Sequence, residues 1–226
     1  MMRLFLFYSL LSILVVSCSN RDKDNIDPGN LYFDYKINAR EGDENLTVHL
    51  QYREDDEEGY GMVIPGSNAV TIDEQDIPRD SSKIKGFYYE IAAPIRDFIG
   101  EHTITVLADN KQFKETFLFE TFSLLTALPD TMARNEYILS FKGVEEGDII
   151  RMLITDTSFI NNGIHRIDTI HDGKLIIKAE DLQELSGGPV QLELIKEAER
   201  PLKNAGSKGG RLVITYGLRR EFILRN

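Results

Sequence analysis

The chain has 226 residues, with 37 acidic side chains against 26 lysines and arginines and a formal charge of −11. That surplus argues against a nucleic-acid partner, because a phosphate backbone is bound by neutralising it with Lys and Arg. The single cysteine, Cys18, excludes an internal disulfide framework. A folded body must then be held by its core, and the length suffices for one large or two small domains.

Residues 1–25 differ from the rest. Arg3 precedes a run without charge from Leu4 to Ser19. The run is shorter than the ~20 apolar residues that cross a bilayer. Its basic start, apolar middle and small residues before a cut match a secretory signal. Val15-Val16-Ser17-Cys18 resembles the lipobox of bacterial lipoproteins. The resemblance implies that residues 1–17 are a signal peptide removed in maturation. It also implies that Cys18 carries fatty acid, such as palmitate, on its thiol and its new amino terminus. Each buried CH₂ contributes ~0.8 kcal/mol and one chain holds only marginally, so multiple acylation makes a lasting anchor. The implied location is the cell envelope, at the outer membrane, facing periplasm or surface. Residues 18–29 are polar, end in Asp27-Pro28-Gly29 ahead of Asn30, and read as a flexible tether.

Leu31 to Ala39 sets Leu31, Phe33, Tyr35 and Ile37 against Tyr32, Asp34, Lys36 and Asn38, the period of a strand with one buried face. Leu46 to Tyr52 repeats it, and Arg53 to Gly59 turns the chain. Ala69–Ile72 and the aromatic run Gly86–Ala92 follow as strands. Glu101–Ala108 and Gln112–Phe119 flank Asp109-Asn110 as a hairpin.

In the second half, Phe122–Ala127, Glu136–Phe141 and Asp148–Thr155 read as strands. Ile164–Ile170 and Lys174–Ile177 flank His171-Asp172-Gly173, a hairpin signal. Ala179–Leu185 is a helical turn stopped by Gly187-Gly188-Pro189. Val190–Lys196 alternates, and Arg211–Leu224 is a long strand bent or broken near Gly217. Short strands at this spacing suggest β-sandwiches. The layout resembles the two-domain immunoglobulin-like lipoproteins of Bacteroidota. The expected fold is all-β, with one immunoglobulin-like sandwich over residues 30–120 and a second, packed against it, over 121–226.

Candidate chemistry is sparse. His165, Asp168 and His171 lie close in sequence; in a strand the two histidines share a face and Asp168 points away. Their spacing does not guarantee the convergence a metal needs. His49 and His102 occupy outward positions of alternating strands and are expected at the surface. Glu54 to Glu58 is a run of five carboxylates, but it lacks the alternation of a calcium loop and reads as a solvated turn. Phe87, Tyr88 and Tyr89 put rings on both faces of a strand. Ala205-Gly206-Ser207-Lys208-Gly209 only loosely matches a hydrolase elbow, which needs a following helix. Arg200 to Asn226 carries seven bases and one acid.

No catalytic constellation, cofactor motif or metal motif stands out, so no catalytic, cofactor or metal residue is assigned and Cys18 is the one site residue. The expectation is a lipid-anchored, non-catalytic envelope binding or scaffold protein. It would be held to the membrane through Cys18, with an envelope protein or polysaccharide as partner and no nucleic acid. The alternatives are an envelope hydrolase whose carboxylate pair is assembled by the fold, and a structural or adhesin subunit that adds strands to neighbours.

Overall fold

Inward residues of the first two strands meet in register. β1 (Leu31–Arg40) and β2 (Asn45–Glu54) pair antiparallel, with Phe33, Tyr35 and Ile37 opposite Tyr52, Leu50 and Val48. All six are buried, so the hairpin has a continuous apolar face that must be covered. The computed structural model describes residues 27–64, 69–108, 111–157 and 163–226. The signal segment, Cys18 and the hairpin tip Asp109-Asn110 lie outside the described residues.

The cover is a four-stranded sheet built from the next elements. β3 (Val70–Ile72) and β4 (Gln75–Asp76) turn through Asp73 and Glu74, both at positive φ. β5 (Arg79–Ser82) and β6 (Gly86–Pro94) return to extend the first sheet beside β2. β7 (Gly100–Ala108) and β8 (Lys111–Phe119) complete the covering sheet in the order β4-β3-β7-β8. Phe113 of β8 meets Phe33 edge-on at 5.2 Å between ring centres. Phe119 contacts Tyr216 in the same way at 6.5 Å.

A second pair of layers follows. β9 (Ser123–Leu124), β10 (Thr131–Met132) and β11 (Tyr137–Lys142) lead into β12 (Ile149–Asp156), β13 (Ile164–Thr169) and β14 (Lys174–Ile177). The β13–β14 turn uses Asp172 and Gly173, both at positive φ, as the Asp-Gly signal requires. A short helix, α1 (Ala179–Gln183), precedes β15 (Gly188–Pro201) and β16 (Gly210–Leu224). The small sheet β14-β11-β9 covers the sheet that contains β13, β12, β15 and β16.

The last two strands run through both halves. β15 and β16 pair from Gly188–Leu224 to Pro201–Arg211 without a break. β12 lies against Val190–Lys196 of β15, and β1 lies parallel to Gly210–Gly217 of β16. One sheet therefore crosses the whole body in the order β13-β12-β15-β16-β1-β2-β6-β5.

The all-β, two-sandwich expectation holds, but the division at 120/121 needs restating. Residues 197–217 belong with the strands of the first half, and the sandwiches share a hairpin instead of a linker. The strand expected to bend at Gly217 stays continuous, because β15 pairs with it on both sides of that residue. The strand expected over Phe122–Ala127 shortens to Ser123–Leu124.

Candidate functional site

The outer face of the long sheet carries the densest polar organisation. Outward positions alternate along β1 as Tyr32, Asp34, Lys36, Asn38 and Arg40, and along β2 as Arg53, Gln51, His49, Thr47 and Asn45. Asp34 faces outward yet is 1% exposed. Four donors surround its carboxylate. Arg53 Nε and Nη2 lie 3.2 and 3.0 Å from Oδ2, Lys36 Nζ lies 3.2 Å from the same oxygen, and Arg211 Nε lies 2.9 Å from Oδ1. Burial alone would push this carboxyl up; the hydrogen bond from Arg211 and the charge of Lys36 outweigh it and hold it below its ordinary value.

A strap from Glu54 to Gly61 covers this hub. Arg211 reaches Glu57 at 2.7 Å, Arg53 donates to the carbonyl of Gly59 at 3.1 Å, and Lys208 pairs with Asp55 at 3.4 Å. Gly61 is needed for the close approach, since a Cβ there would sit 2.2 Å from Phe87 O and 2.4 Å from Gln51 Nε2. Gln51 is fully buried beneath the strap and donates to Lys85 O at 2.6 Å, while its Oε1 has no protein partner among the described residues. The acidic run read from sequence is thus a turn whose carboxylates are partly spent on basic neighbours. No group of three metal-ligating side chains converges among the described residues.

Two grooves open on the same long sheet. One, of about 360 Å³, lies where the sandwiches join and is lined by Asn38, Arg40, Asn45, Thr47, Glu193 and Thr215. Arg40 and Glu193 pair across it at 3.3 Å. Gly217 is also among its lining residues. The other, of about 420 Å³, lies towards the end of β16 and includes Asp130, Asp156, Arg219 and Glu221. Asp156 accepts the backbone N–H of Ser186 at 2.7 Å, and Glu221 accepts from Arg219 at 2.8 Å.

The histidines do not assemble. His165 is exposed on the outer face of β13, and Asp168 is bonded on the other face to Arg166 at 2.6 Å. His171 leaves the strand and pairs with Glu146 at 2.9 Å; that hydrogen bond lowers the Glu146 carboxyl. His49 stays outward, 2.8 Å from Glu90 and stacked on Tyr88.

His102 is a correction. It was expected at the surface and is 9% exposed. Its ring stacks on Phe98 at 3.7 Å, with Nδ1 2.6 Å from Asp73 and Nε2 2.7 Å from Phe98 O. In the aromatic run, Tyr89 is in the core while Phe87 lies under Arg79 at 5.6 Å.

Two features escaped the sequence. Asp34 read as one more outward polar residue, and its strongest partner is 177 positions away. Glu115 is equally buried and takes Arg200 at 2.6 Å and the Lys203 N–H at 2.8 Å. This clamp fastens the β15–β16 loop to β8. No local signal marks Asp34, whereas Glu115 shares the inward parity of Phe113, Phe117 and Phe119 and could have been read from that alternation.

No protein-family model and no curated relative matches the chain. Solved structures similar to it include the Yersinia pseudotuberculosis adhesin InvE, at 13% identity over 85% of this chain with a TM-score of 0.26. This chain spans 61% of the adhesin's length. Tandem immunoglobulin domains of titin match at 10% identity over 86% of this chain and 94% of that one, with a TM-score of 0.22. The first two immunoglobulin domains of DIP-gamma match at 7% identity over 89% and 100%, with a TM-score of 0.21. Likenesses this distant bring no residue role or partner to this chain.

Proposed function

We propose that this protein is a lipid-anchored binding or scaffold module of a bacterial envelope, tethered through Cys18 and without a catalytic role. The observation that carries the reading is the segment Val15-Val16-Ser17-Cys18, with its basic start and uncharged run, ahead of an all-β body. The polar groove at the sandwich junction is the contact surface we favour. Asn38, Asn45, Thr47 and Thr215 offer amides and hydroxyls that both donate and accept, which suits a neutral polysaccharide. Such groups suit hydrogen bonding to hydroxyls better than charge pairing does.

The test has two arms. Replacing Cys18 with Ser should abolish incorporation of labelled fatty acid and move the protein out of the membrane fraction; unchanged fractionation and processing would sink the anchor. Envelope polysaccharides should bind the full chain and lose affinity on Asn38→Ala with Thr215→Ala; equal binding by that variant would sink the groove. The hydrolase reading has one observation in its favour, the three carboxylates of the second groove. Release of reducing ends from an envelope polysaccharide, lost in Asp156→Asn, would establish it over the binding reading.

A further inference from the structure

Most free edges of the body are guarded. β5 is four residues long and polar. β4 and β9 have two residues each. β8 is studded with Lys111 and Lys114 and crossed by Arg200, which donates to Thr116 O at 3.0 Å. Short, charged or covered edges are how sheets avoid pairing with other chains.

β13 is different. It ends the long sheet among the described residues and runs for six residues, Ile164–Thr169. Its outward row is His165, Ile167 and Thr169, with Ile167 71% exposed. Ile149, on the neighbouring strand opposite Thr169, is also exposed, at 55%.

The free hydrogen-bonding groups can be assigned. Ile170 N–H donates to Asp148 O at 2.8 Å, so the backbone of Ile170 faces β12. Backbone groups alternate in direction along a strand paired on one side. Those of Asp168, Arg166 and Ile164 therefore face β12, and those of Thr169, Ile167 and His165 face away.

We propose that β13 pairs antiparallel with β13 of a second copy of this chain, about a two-fold axis at Ile167. Only registers that set free groups against free groups are open to it. Centring on Arg166 puts two arginines opposite each other, and centring on Asp168 puts two aspartates opposite each other. Like charges directly opposite are unfavourable. Centring on Ile167 puts Arg166 of each copy opposite Asp168 of the other, Ile167 against Ile167, and His165 against Thr169. The contact is then self-complementary, as a two-fold interface must be.

Inward charges on an edge strand ordinarily guard it, because pairing would bury them unmatched. Here Arg166 already holds Asp168 at 2.6 Å and Asp181 at 2.5 Å. The Ile167 register brings Arg166 a further opposite charge, the other copy's Asp168, instead of a like one.

Light scattering of the full chain in detergent should show mass rising to a dimer across the micromolar range. Ile167→Lys, at an exposed position, should weaken association at least tenfold without unfolding the body. Under mild oxidation Ile167→Cys should give a covalent dimer, since cross-strand Cα atoms lie ~5.5 Å apart. Ile149→Cys should not, because its mates would lie three strand spacings apart across the sheet and four residues apart along it, roughly 20 Å in all. The wild-type chain, whose one cysteine is Cys18, gives the background. A monomer throughout the range, a dimer indifferent to Ile167→Lys, or equal cross-linking at positions 149 and 167 would each overturn the proposal.

Discussion

Asp34→Asn isolates the charge at the centre of the outer face while keeping its shape. In the wild type Oδ2 accepts from Arg53 and Lys36 and Oδ1 accepts from Arg211. An amide has one acceptor end and one donor end. In either orientation its NH₂ meets donors, and the cations face no compensating charge. Breaking a buried ion pair from one side costs about 3–5 kcal/mol. The lower end applies, because Arg211 keeps Glu57 at 2.7 Å and Arg53 keeps the Gly59 carbonyl at 3.1 Å. A loss of ~3 kcal/mol, with a urea slope of 2–3 kcal/mol per molar, lowers the unfolding midpoint by roughly 1–1.5 M. A double-mutant cycle with Arg211→Met should return a coupling of at least ~1 kcal/mol.

The pH dependence supplies an independent check. The folded carboxyl sits below its unfolded value of ~3.9, so its contribution is complete above that value and is lost as pH falls through the folded one. Wild type and Asp34→Asn should therefore differ most near neutrality and converge in acid. A midpoint shift under ~0.3 M urea at pH 7, or a gap that widens in acid, would refute the account of Asp34 as a stabilising hub.

Other consequences are as direct. Glu115→Gln removes the charge and turns one of the two acceptor oxygens, Oε1 for Arg200 or Oε2 for the Lys203 N–H, into an NH₂ that faces a donor, so limited proteolysis should cut faster within residues 202–209 and stability should fall by about 2 kcal/mol. Gly61→Ala drives a Cβ into Phe87 O and should cost ~2 kcal/mol by urea unfolding, whereas Gly217→Ala, whose Cβ meets nothing nearer than 3.8 Å, should change stability by less than ~0.5 kcal/mol. Burial pushes the hydroxyls of Tyr35 and Tyr52 well above the ordinary tyrosine value. An absorbance titration should find them un-ionised until the fold opens, and stability should fall as pH rises above ~10.

The core was legible because it obeys a period of two. Phe33, Tyr35 and Ile37, and Leu46, Val48 and Leu50, announce their face without knowledge of any partner. Asp172-Gly173 announces its turn because few residues tolerate two successive positive φ angles. What was not legible depends on residues far apart in sequence. The alternation read from sequence stops at Lys196, yet pairing with Arg211 to Thr215 carries the strand on through Glu197 to Pro201. His102, by contrast, was legible: it shares the inward parity of Ile104, Val106 and Ala108, so the alternation itself places it inside, where Phe98 and Asp73 enclose it. Two-residue strands such as β9 and β10 are too short to show a period at all.

The shared hairpin also constrains how the two proposals can coexist. The chain enters the body at Asp27, where Gly29 O accepts the N–H of Ser207 at the β15–β16 tip. Ile167 lies on the ladder of Arg151, Ile195 and Gly217. Gly217 is seven residues along β16 from Gly210, a distance of ~23 Å. Antiparallel pairing about Ile167 therefore separates the two entry points by about 45 Å along the strands. Residues 18–26 between an acylated Cys18 and the body can span at most ~30 Å. Both anchors cannot reach one membrane if the strands stand upright on it. A doubly anchored dimer has to lie with its strands along the membrane. The two-fold axis is then close to the membrane normal, so both outer faces, each with its polar groove, point the same way. A ligand with repeating units could engage both grooves at once and bind the dimer more tightly than the Ile167→Lys monomer. Equal affinity of the two for a long polysaccharide would separate the groove from the dimer.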